Sequence, residues 1–316
     1  MTRMPTWLEP QLATLTHERF TDPDWIYERK LDGERCLAFV DSGEVRLLTR
    51  NKRDITTTFP EITKALVDHG SGDLILDGEI VAFEDGQTRF SRLQQRLGIT
   101  IPGRGLLDKY PVCYYLFDVL YADGKDTRDL PQRERKRLLS EVVKFRDPLR
   151  FTEHRDGDGE KYYEQACRDG WEGLIAKRAD APYEGRRSRD WLKFKCENSQ
   201  EMVIGGFTDP QGSRTGLGAL LLGYYADGDL VYAGKVGTGF DRTVLRDLRD
   251  RLDKIERPRP AFTRGKLPSP RGVHWTEPRL VGQITFTEWT EDGQLRHPRF
   301  EGLRDDKDPR EVVRER

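Results

Sequence analysis

The sequence is poor in the residues that build metal sites and disulfide networks. Only four cysteines occur among its 316 residues, and no two of them form a Cys-x-x-Cys pair; they are Cys36, Cys113, Cys167 and Cys196. The five histidines are scattered in the same way. Zinc sites and disulfide-stapled domains depend on closely spaced or regularly paired ligands. We therefore expect neither a zinc site nor a disulfide framework, and we expect a reducing, cytoplasmic environment.

Long apolar segments and the common nucleotide-binding loops are also missing. The first twenty residues hold no apolar run of signal-peptide length, and no stretch is long enough to span a bilayer. Neither Gly-x-x-x-x-Gly-Lys-Ser/Thr nor a Gly-x-Gly-x-x-Gly that follows a strand occurs. These absences predict a soluble protein that uses neither a P-loop nor a dinucleotide-binding fold.

The chain also lacks an excess of positive or negative charge. Charged residues make up 34% of the chain and hydrophobic residues 35%, yet the net charge is −1. This balance argues against a uniformly basic coat, although local cationic patches could still follow a phosphate backbone. We interpret one such cluster, Arg133–Arg137, as the solvated face of a helix. The length predicts two domains at about 100–200 residues each.

What the chain does have is a lysine in an unusual setting, Glu28-Arg29-Lys30-Leu31-Asp32-Gly33-Glu34-Arg35. A lysine becomes a nucleophile only when its amine loses its proton, and burial or neighbouring cations favour that loss. Arg29 and Arg35 are the candidate neighbours. Because Asp-Gly is also a common hairpin signal, an ordinary turn stays open as the alternative.

Further charged residues fall on predicted strands. Residues 74–83 form an apolar strand pattern around Glu79, whose charge needs a partner there. In Trp191–Lys195, Lys193 and Lys195 alternate with apolar residues, so a strand would place both ammonium groups on one face. An anion between the two would relieve their repulsion. The alternative is an amphipathic edge strand whose lysines reach out to solvent.

The pattern changes after the polar break at residues 197–200. Short strand patterns with Gly-rich turns follow, together with one amphipathic helix that begins near Asp241. Such an order fits a small barrel of the oligonucleotide-binding type. We therefore predict an α+β chain with one domain at 1–198, built of antiparallel sheets with helices, and an OB-fold β-barrel domain at 199–316.

Six short motifs share an order with one known group of enzymes. They are Lys30-Leu31-Asp32-Gly33-Glu34-Arg35, Leu76-Asp77-Gly78-Glu79-Ile80, Tyr115-Leu116-Phe117-Asp118, Glu172-Gly173-Leu174-Ile175-Ala176-Lys177, Trp191-Leu192-Lys193-Phe194-Lys195, and Arg296 to Lys307. Together they resemble the ATP-dependent DNA ligases of the covalent nucleotidyltransferase superfamily. The chain is similar to the minimal two-domain ligase module of bacterial end-joining systems, with a nucleotidyltransferase domain followed by the barrel.

The resemblance implies a role for each matching residue. Lys30 would attack the α-phosphorus of ATP within a catalytic set that also holds Asp32, Lys193 and Lys195. Glu79 and Glu172 would bind Mg²⁺ or Mn²⁺. The expected ATP-binding residues are Glu28 at the adenine amino group, Arg35 and Glu79 at the ribose, Arg50 beside the nucleotide and the 5′-phosphate of the nick, Phe117 stacked on adenine, Lys177 at the phosphates, and Arg304, Asp306 and Lys307 at the pyrophosphate.

The implied reaction is the sealing of nicks in duplex DNA through a lysyl-AMP intermediate, in DNA repair or end joining. The implied partners are nicked or broken duplex DNA and an end-binding Ku-type protein; we expect a monomer that associates with the nucleoid. Two alternatives remain. One is an RNA ligase or a capping-type nucleotidyltransferase, and the other is a non-catalytic nucleic-acid-binding barrel protein.

Overall fold

The computed structural model describes residues 3–70, 72–210 and 215–315. The chain forms two compact units, Met1–Cys196 and Glu197–Arg316. The predicted α+β class is confirmed, because both units combine sheets with helices. No helix in the described ranges is long and apolar enough to cross a bilayer.

The first unit contains two sheets and five α-helices within its described residues. Its strands are β1 (Leu12–Leu15), β2 (Trp25–Arg29), β3 (Glu34–Asp41), β4 (Glu44–Thr49), β5 (Leu74–Glu84), β6 (Gln87–Thr88), β7 (Val112–Ala122), β8 (Lys125–Asp126), β9 (Leu149–Phe151), β10 (His154–Asp156), β11 (Gly173–Arg178) and β12 (Arg187–Lys195). Its α-helices are α1 (Pro60–His69), α2 (Phe90–Gln94), α3 (Arg104–Lys109), α4 (Gln132–Val142) and α5 (Gly159–Arg168). A short 3₁₀ helix spans Thr56–Thr58.

The two sheets of the first unit share an apolar core. One sheet has the order β1-β12-β11-β2-β10, and the other has β4-β3-β5-β7-β8, with β6 on β5 and β9 on β7. Most pairs are antiparallel as predicted, but β1 with β12 and β7 with β9 are parallel. Apolar side chains of both sheets, among them Leu37, Ile75, Phe117 and Trp191, form one shared core. Burial of these side chains holds the sheets together.

The second unit is built around one curled sheet with a single α-helix in its described part. Its strands are β13 (Asn198–Thr208), β14 (Leu220–Ala226), β15 (Asp229–Val236), β16 (Glu256–Arg257), β17 (Val273–Phe286), β18 (Glu288–Trp289), β19 (Leu295–Arg296) and β20 (Arg299–Leu303). The main sheet has the order β15-β14-β13-β17-β16 with β20 on β17, and β18 pairs with β19. The remaining elements are α6 (Arg242–Asp253) and a 3₁₀ helix at Pro309–Glu311.

The sequence predicted the start of the helix in the second unit, but it assigned no conformation to residues 197–200. The helix signal at Asp241 is confirmed, since its carboxylate accepts a hydrogen bond from the Val244 amide at 2.8 Å and caps α6. The polar segment at residues 197–200 belongs largely to a strand, because β13 begins at Asn198 and pairs with β17. Backbone pairing decided the conformation there, and the polar side chains gave no sign of it.

One histidine joins three strands of the second unit. His274 Nδ1 lies 2.8 Å from Glu256 Oε1, and its Nε2 lies 2.9 Å from Asp209 Oδ1. The ring stacks on Phe207 with 4.7 Å between centroids. Partial burial lowers the pKa of His274, but the hydrogen bonds to the two carboxylates raise it more, so the pKa is raised overall. The imidazolium form, which donates from both nitrogens, is therefore favoured.

This geometry predicts a pH-dependent contribution to stability. A pKa that is higher in the folded state gives a stabilisation that is complete below the unfolded value of about 6.5 and is lost as pH rises through the folded value. We expect His274→Gln to lower the thermal midpoint of the second unit most near about pH 6 and least at alkaline pH. Replacement of the exposed His17 is the control. A midpoint difference that stays constant from acidic to alkaline pH would contradict the assignment.

Candidate active site

The Lys30 segment crosses from one sheet to the other. Strand β2, which ends at Arg29, belongs to the five-stranded sheet, whereas β3, which begins at Glu34, belongs to the other. The interpretation of this segment as a hairpin turn is therefore wrong, since the flanking strands do not pair. The backbone amide of Lys30 donates to the carbonyl of Gly173 at 2.9 Å. The lysine is thus anchored to β11 at the point where the two sheets meet.

The amine of Lys30 is paired with a carboxylate. Its Nζ lies 2.5 Å from Glu172 Oε2. Burial lowers the pKa of Lys30, but the charges of Glu172, Asp32 and Glu79 and the hydrogen bond to Glu172 outweigh it, and the pKa is raised overall. The structure thus holds Lys30 as an ammonium ion, which must lose a proton before it can attack.

The two arginines expected beside Lys30 bind elsewhere, so the predicted lowering of its pKa by these cations is wrong. The guanidinium of Arg29 lies 4.6 Å above the Trp171 ring and donates to Gln87 at 3.2 Å. Arg35 makes a two-pronged pair with Asp77, at 2.6 and 2.5 Å. The error arises because Arg29 is the last residue of β2 whereas Arg35 lies in β3 of the other sheet, so closeness to Lys30 in sequence does not bring either guanidinium to its amine.

Asp32 and Gly33 shape the crossover. Asp32 Oδ2 accepts from the Phe90 amide at 2.9 Å, at the start of α2, and its charge also acts on Lys30. At Gly33 a Cβ atom would lie 2.2 Å from the Ile80 carbonyl oxygen, so only glycine fits. The predicted catalytic residue Asp32 therefore holds the loop that carries the lysine.

Arg35 and Phe117 form an aromatic and cationic cluster between the sheets. The Arg35 guanidinium lies 4.5 Å from the Phe117 ring centroid, and Phe117 meets Trp191 edge to face at 6.1 Å. Burial lowers the pKa of Arg35, but the charge of Asp77 and the hydrogen bond to it raise this pKa more, so it is raised overall. Tyr183 completes the cluster by donating to Asp77 Oδ2 at 2.6 Å. Phe117, which the sequence resemblance predicts to stack on adenine, is thus a member of this cluster.

Glu28 is buried between two lysines. Lys136 Nζ donates to its Oε1 at 2.6 Å, and Lys177 Nζ lies 2.8 Å from its Oε2. Burial raises the pKa of Glu28, but the two ammonium groups lower it more, so the carboxylate stays ionised. Lys177 also lies 4.3 Å from the Phe117 ring centroid. The structure thus brings together the predicted residues Glu28, Lys177 and Phe117.

Lys136 and its neighbour Arg135 are buried, although the sequence predicted a solvated helix face for them. Both belong to the cluster Arg133–Arg137. Arg135 pairs with Asp118 at 2.8 Å. The interpretation is correct only for the more exposed cations of the cluster. The signal was the helical spacing of the two cations with Leu139, a buried apolar residue of the same helix.

Lys193 and Lys195 lie on one face of β12 together with Trp191, as the alternation predicted. The other face, with Leu192 and Phe194, packs in the core beside α5. Strand β12 pairs with both β1 and β11. The edge-strand alternative is therefore wrong. The backbone of Lys195 is fixed by the Tyr163 hydroxyl, which donates to its carbonyl at 2.9 Å.

The proposed metal ligands are Glu79 and Glu172. Within the described ranges, no group of three or more His, Cys, Asp or Glu side chains could hold a metal ion by itself. Magnesium ions in phosphoryl-transfer sites commonly use one or two carboxylates together with substrate phosphates and water. Two carboxylates that both act on the Lys30 ammonium group fit such a shared site.

The remaining predicted residues lie further along the chain. Arg50 lies in the turn after β4. Arg304 and Lys307 belong to the second unit. Arg304 donates to both carboxylate oxygens of Asp306 at 2.8 Å. Burial raises the pKa of Asp306, but the hydrogen bonds and the charge of Arg304 lower it more, so the pKa is lowered overall. Lys307 Nζ lies 3.3 Å from Glu201 Oε1.

A disulfide corrects the expectation from the cysteine spacing. Cys167 of α5 and Cys196, which follows β12, are bonded, with their Cα atoms 5.3 Å apart. Cys36 and Cys113 are free thiols. Spacing along the chain could not show the bond, because it is the packing of α5 against the five-stranded sheet that brings the two cysteines together.

Comparison with known proteins gives consistent matches over the chain. A family profile described as ATP dependent DNA ligase domain matches residues 10–195, and one described as ATP dependent DNA ligase C terminal region matches residues 213–307. The multifunctional non-homologous end joining protein LigD of Pseudomonas aeruginosa is 41% identical over 100% of this chain and 37% of the relative. The Mycobacterium tuberculosis LigD protein is 37% identical over 98% of this chain and 40% of its own length.

A solved structure gives the same result in three dimensions. A mycobacterial DNA ligase D complexed with ATP and MES matches with a TM-score of 0.70 and 36% identity, over 98% of each chain. The chain thus spans about two fifths of the LigD relatives, whereas it spans nearly all of this solved chain.

Proposed function

Because the chain belongs to the ATP-dependent DNA ligase family, we propose that it seals nicks in duplex DNA through a covalent lysyl-AMP intermediate on Lys30. The observation that carries the proposal is the placement of Lys30. Its backbone is anchored where the two sheets meet, and its amine forms an ion pair with Glu172. Glu28, Phe117 and Lys177 lie in the same unit. We assign residues 1–198 to the nucleotidyltransferase domain and residues 199–316 to the barrel domain.

The reaction is a series of three phosphoryl transfers. The neutral amine of Lys30 attacks the α-phosphorus of ATP. The N–P bond forms, the bond between the α-phosphorus and pyrophosphate breaks, and the attacking nitrogen releases one further proton. The 5′-phosphate of the nick then takes AMP from Lys30. Finally the 3′-hydroxyl attacks that phosphate, seals the strand and releases AMP. Each transfer depends on positioning and on neutralisation of charge around phosphorus.

The chain's own residues supply those two effects. We propose that Glu28 accepts from the adenine amino group, that Phe117 stacks on the base and that Arg35 and Glu79 hold the ribose. Cations then hold the phosphates. These are Lys177, Lys193 and Lys195, Arg50 at the 5′-phosphate, and Arg304 and Lys307, positioned by Asp306, at the pyrophosphate.

A divalent cation completes the proposed site. Glu79 and Glu172 would hold Mg²⁺ or Mn²⁺, which when bound neutralises phosphate charge and polarises the phosphorus centre. Glu172 is at present the partner of the Lys30 ammonium group. Engagement of its carboxylate elsewhere would remove the charge that favours the ammonium form of Lys30, and so would help the amine to lose its proton.

We propose the partners from the reaction of the family and from the names of the relatives. Broken or nicked duplex DNA is the substrate that the family name implies. The relatives are named for non-homologous end joining, so we propose that this chain acts in that repair pathway as a monomer, with a Ku-type end-binding partner.

The proposed function is tested by separating nucleotide from nucleic acid. The full chain is incubated with labelled ATP or GTP and a divalent cation, and then with nicked duplex DNA or nicked RNA. We expect label on the protein from ATP alone, and sealing of the DNA. Labelling by GTP or sealing of RNA would identify the first alternative, whereas absence of labelling would identify a non-catalytic protein.

A further inference from the structure

The cluster around Glu28 contains more positive than negative charge. Glu28, Lys136 and Lys177 are all almost completely buried, with relative exposures of 2%, 2% and 1%. Two ammonium groups approach one carboxylate. A buried charge is costly unless it is fully paired. One of the two lysines is therefore less well compensated than the other, and the contacts show which.

Lys136 and Lys177 are held by different kinds of contact. Lys136 Nζ donates to Glu28 Oε1 at 2.6 Å and to the Thr152 carbonyl at 2.7 Å. Lys177 Nζ lies 2.8 Å from Glu28 Oε2, an ion pair that is less well aligned than the two hydrogen bonds of Lys136. Burial, together with the charge of Lys136, lowers the pKa of Lys177 to about 8 against the pull of Glu28.

The other contacts of Lys177 are with aromatic rings and are not directional. Its ammonium group lies over two aromatic rings, 4.3 Å from the Phe117 centroid and 4.1 Å from that of Trp191. Such contacts attract a cation but have no single preferred direction. Lys136, by contrast, comes from helix α4 and is fixed by two directional hydrogen bonds. The two lysines of the cluster therefore differ in how their ammonium groups are fixed.

We propose that Lys136 is a positioning residue for nucleotide binding: it is the permanent counter-ion that keeps Glu28 ionised and in place, and so frees Lys177 to leave Glu28 for the nucleotide. This inference rests on the proposed function, in which Glu28 and Lys177 both contact ATP. Without Lys136, Lys177 becomes the sole counter-ion of Glu28, and the two groups stay engaged with each other.

The experiment measures single-turnover formation of lysyl-AMP by the full chain at a series of ATP concentrations. For Lys136→Met we expect the half-saturating ATP concentration to rise at least about tenfold, which is the usual scale for one charge-assisted hydrogen bond. We expect the plateau rate to stay within about twofold, because Lys136 does not touch the reacting atoms. A purely structural role would lower the active fraction and the stability instead.

A matched control and a double variant make the test specific. Arg137→Met removes an exposed cation of the same helix, paired with Glu141 at 2.6 Å, and should change neither value. If Lys136 acts only through Glu28, then Glu28→Gln and Glu28→Gln/Lys136→Met should share one half-saturating concentration. Because the double variant has no unpaired carboxylate at position 28, it can still be compared with Glu28→Gln if Lys136→Met alone fails to fold.

An unchanged half-saturating concentration in Lys136→Met, or a further loss in the double variant beyond Glu28→Gln, would overturn the inference. Failure of the proposed function gives a different result, namely a wild-type chain that forms no lysyl-AMP. Calorimetric titration with ATP would then test Lys136 separately. Weaker ATP binding by Lys136→Met than by Arg137→Met supports the inference, and equal binding contradicts it.

Discussion

Lys30→Ala is expected to abolish ATP-dependent labelling of the protein, with a loss of at least about 10³-fold, because the variant lacks the nucleophile and has no other group in its place. The measurement is transfer of label from ATP to protein. Lys64→Ala is the control, since Lys64 is an exposed lysine paired only with Asp68 on the surface of α1.

The same variant should still seal a nick that already carries AMP on its 5′-phosphate. That last step needs the 3′-hydroxyl and the phosphate-binding cations, but not the amine of Lys30. Sealing of such a nick by Lys30→Ala would show that the fold and the DNA site are intact. Label that persists on Lys30→Ala would contradict the assignment of the nucleophile.

Gly173→Ala is expected to disrupt the site without touching any charged group. Gly173 has a φ of 148°, and a Cβ atom there would lie 1.8 Å from the Phe194 carbonyl oxygen. Strands β11 and β12 would have to separate, which would move Glu172 and weaken the bond from the Lys30 amide. We expect a destabilisation of about 3 kcal/mol or more and loss of most labelling.

The matched control for this variant is Gly105→Ala in helix α3. Apart from its chain neighbours and the backbone of its own helix, no heavy atom of the described residues lies within 4 Å of the position that a Cβ atom would take at Gly105. Alanine also favours the helix over glycine by about 1 kcal/mol, so we expect no loss. Hydrogen exchange of the β11 and β12 amides measures the difference. Protection in Gly173→Ala equal to that in Gly105→Ala would show that the close approach is not required.

Much of this fold could be predicted, because local patterns determined it. Alternation predicted the common face of Lys193 and Lys195, and the capping carboxylate of Asp241 predicted the start of α6. These signals lie within a few residues of the element that they specify. The motif order, in turn, predicted the family.

The rest depended on contacts between distant segments. The Glu28–Lys136 pair joins residues 108 positions apart, and nothing near Lys136 in the sequence identifies its partner. The same holds for the Cys167–Cys196 bond and for the pairing of Lys30 with Glu172. Arg29 and Arg35 seemed to be neighbours of Lys30 only because they are close in sequence. The chain crosses from one sheet to the other between them, and their guanidinium groups bind Gln87 and Asp77 instead.

The central claim is that ATP leaves AMP covalently on Lys30, and mass spectrometry tests it most directly. The full chain is incubated with ATP and a divalent cation, its intact mass is measured, and a digest locates the modified residue. Our account predicts a mass gain of one AMP, carried by the peptide that contains Lys30. An intact mass that does not change, or an adduct that maps to Lys193 or another lysine, would contradict it.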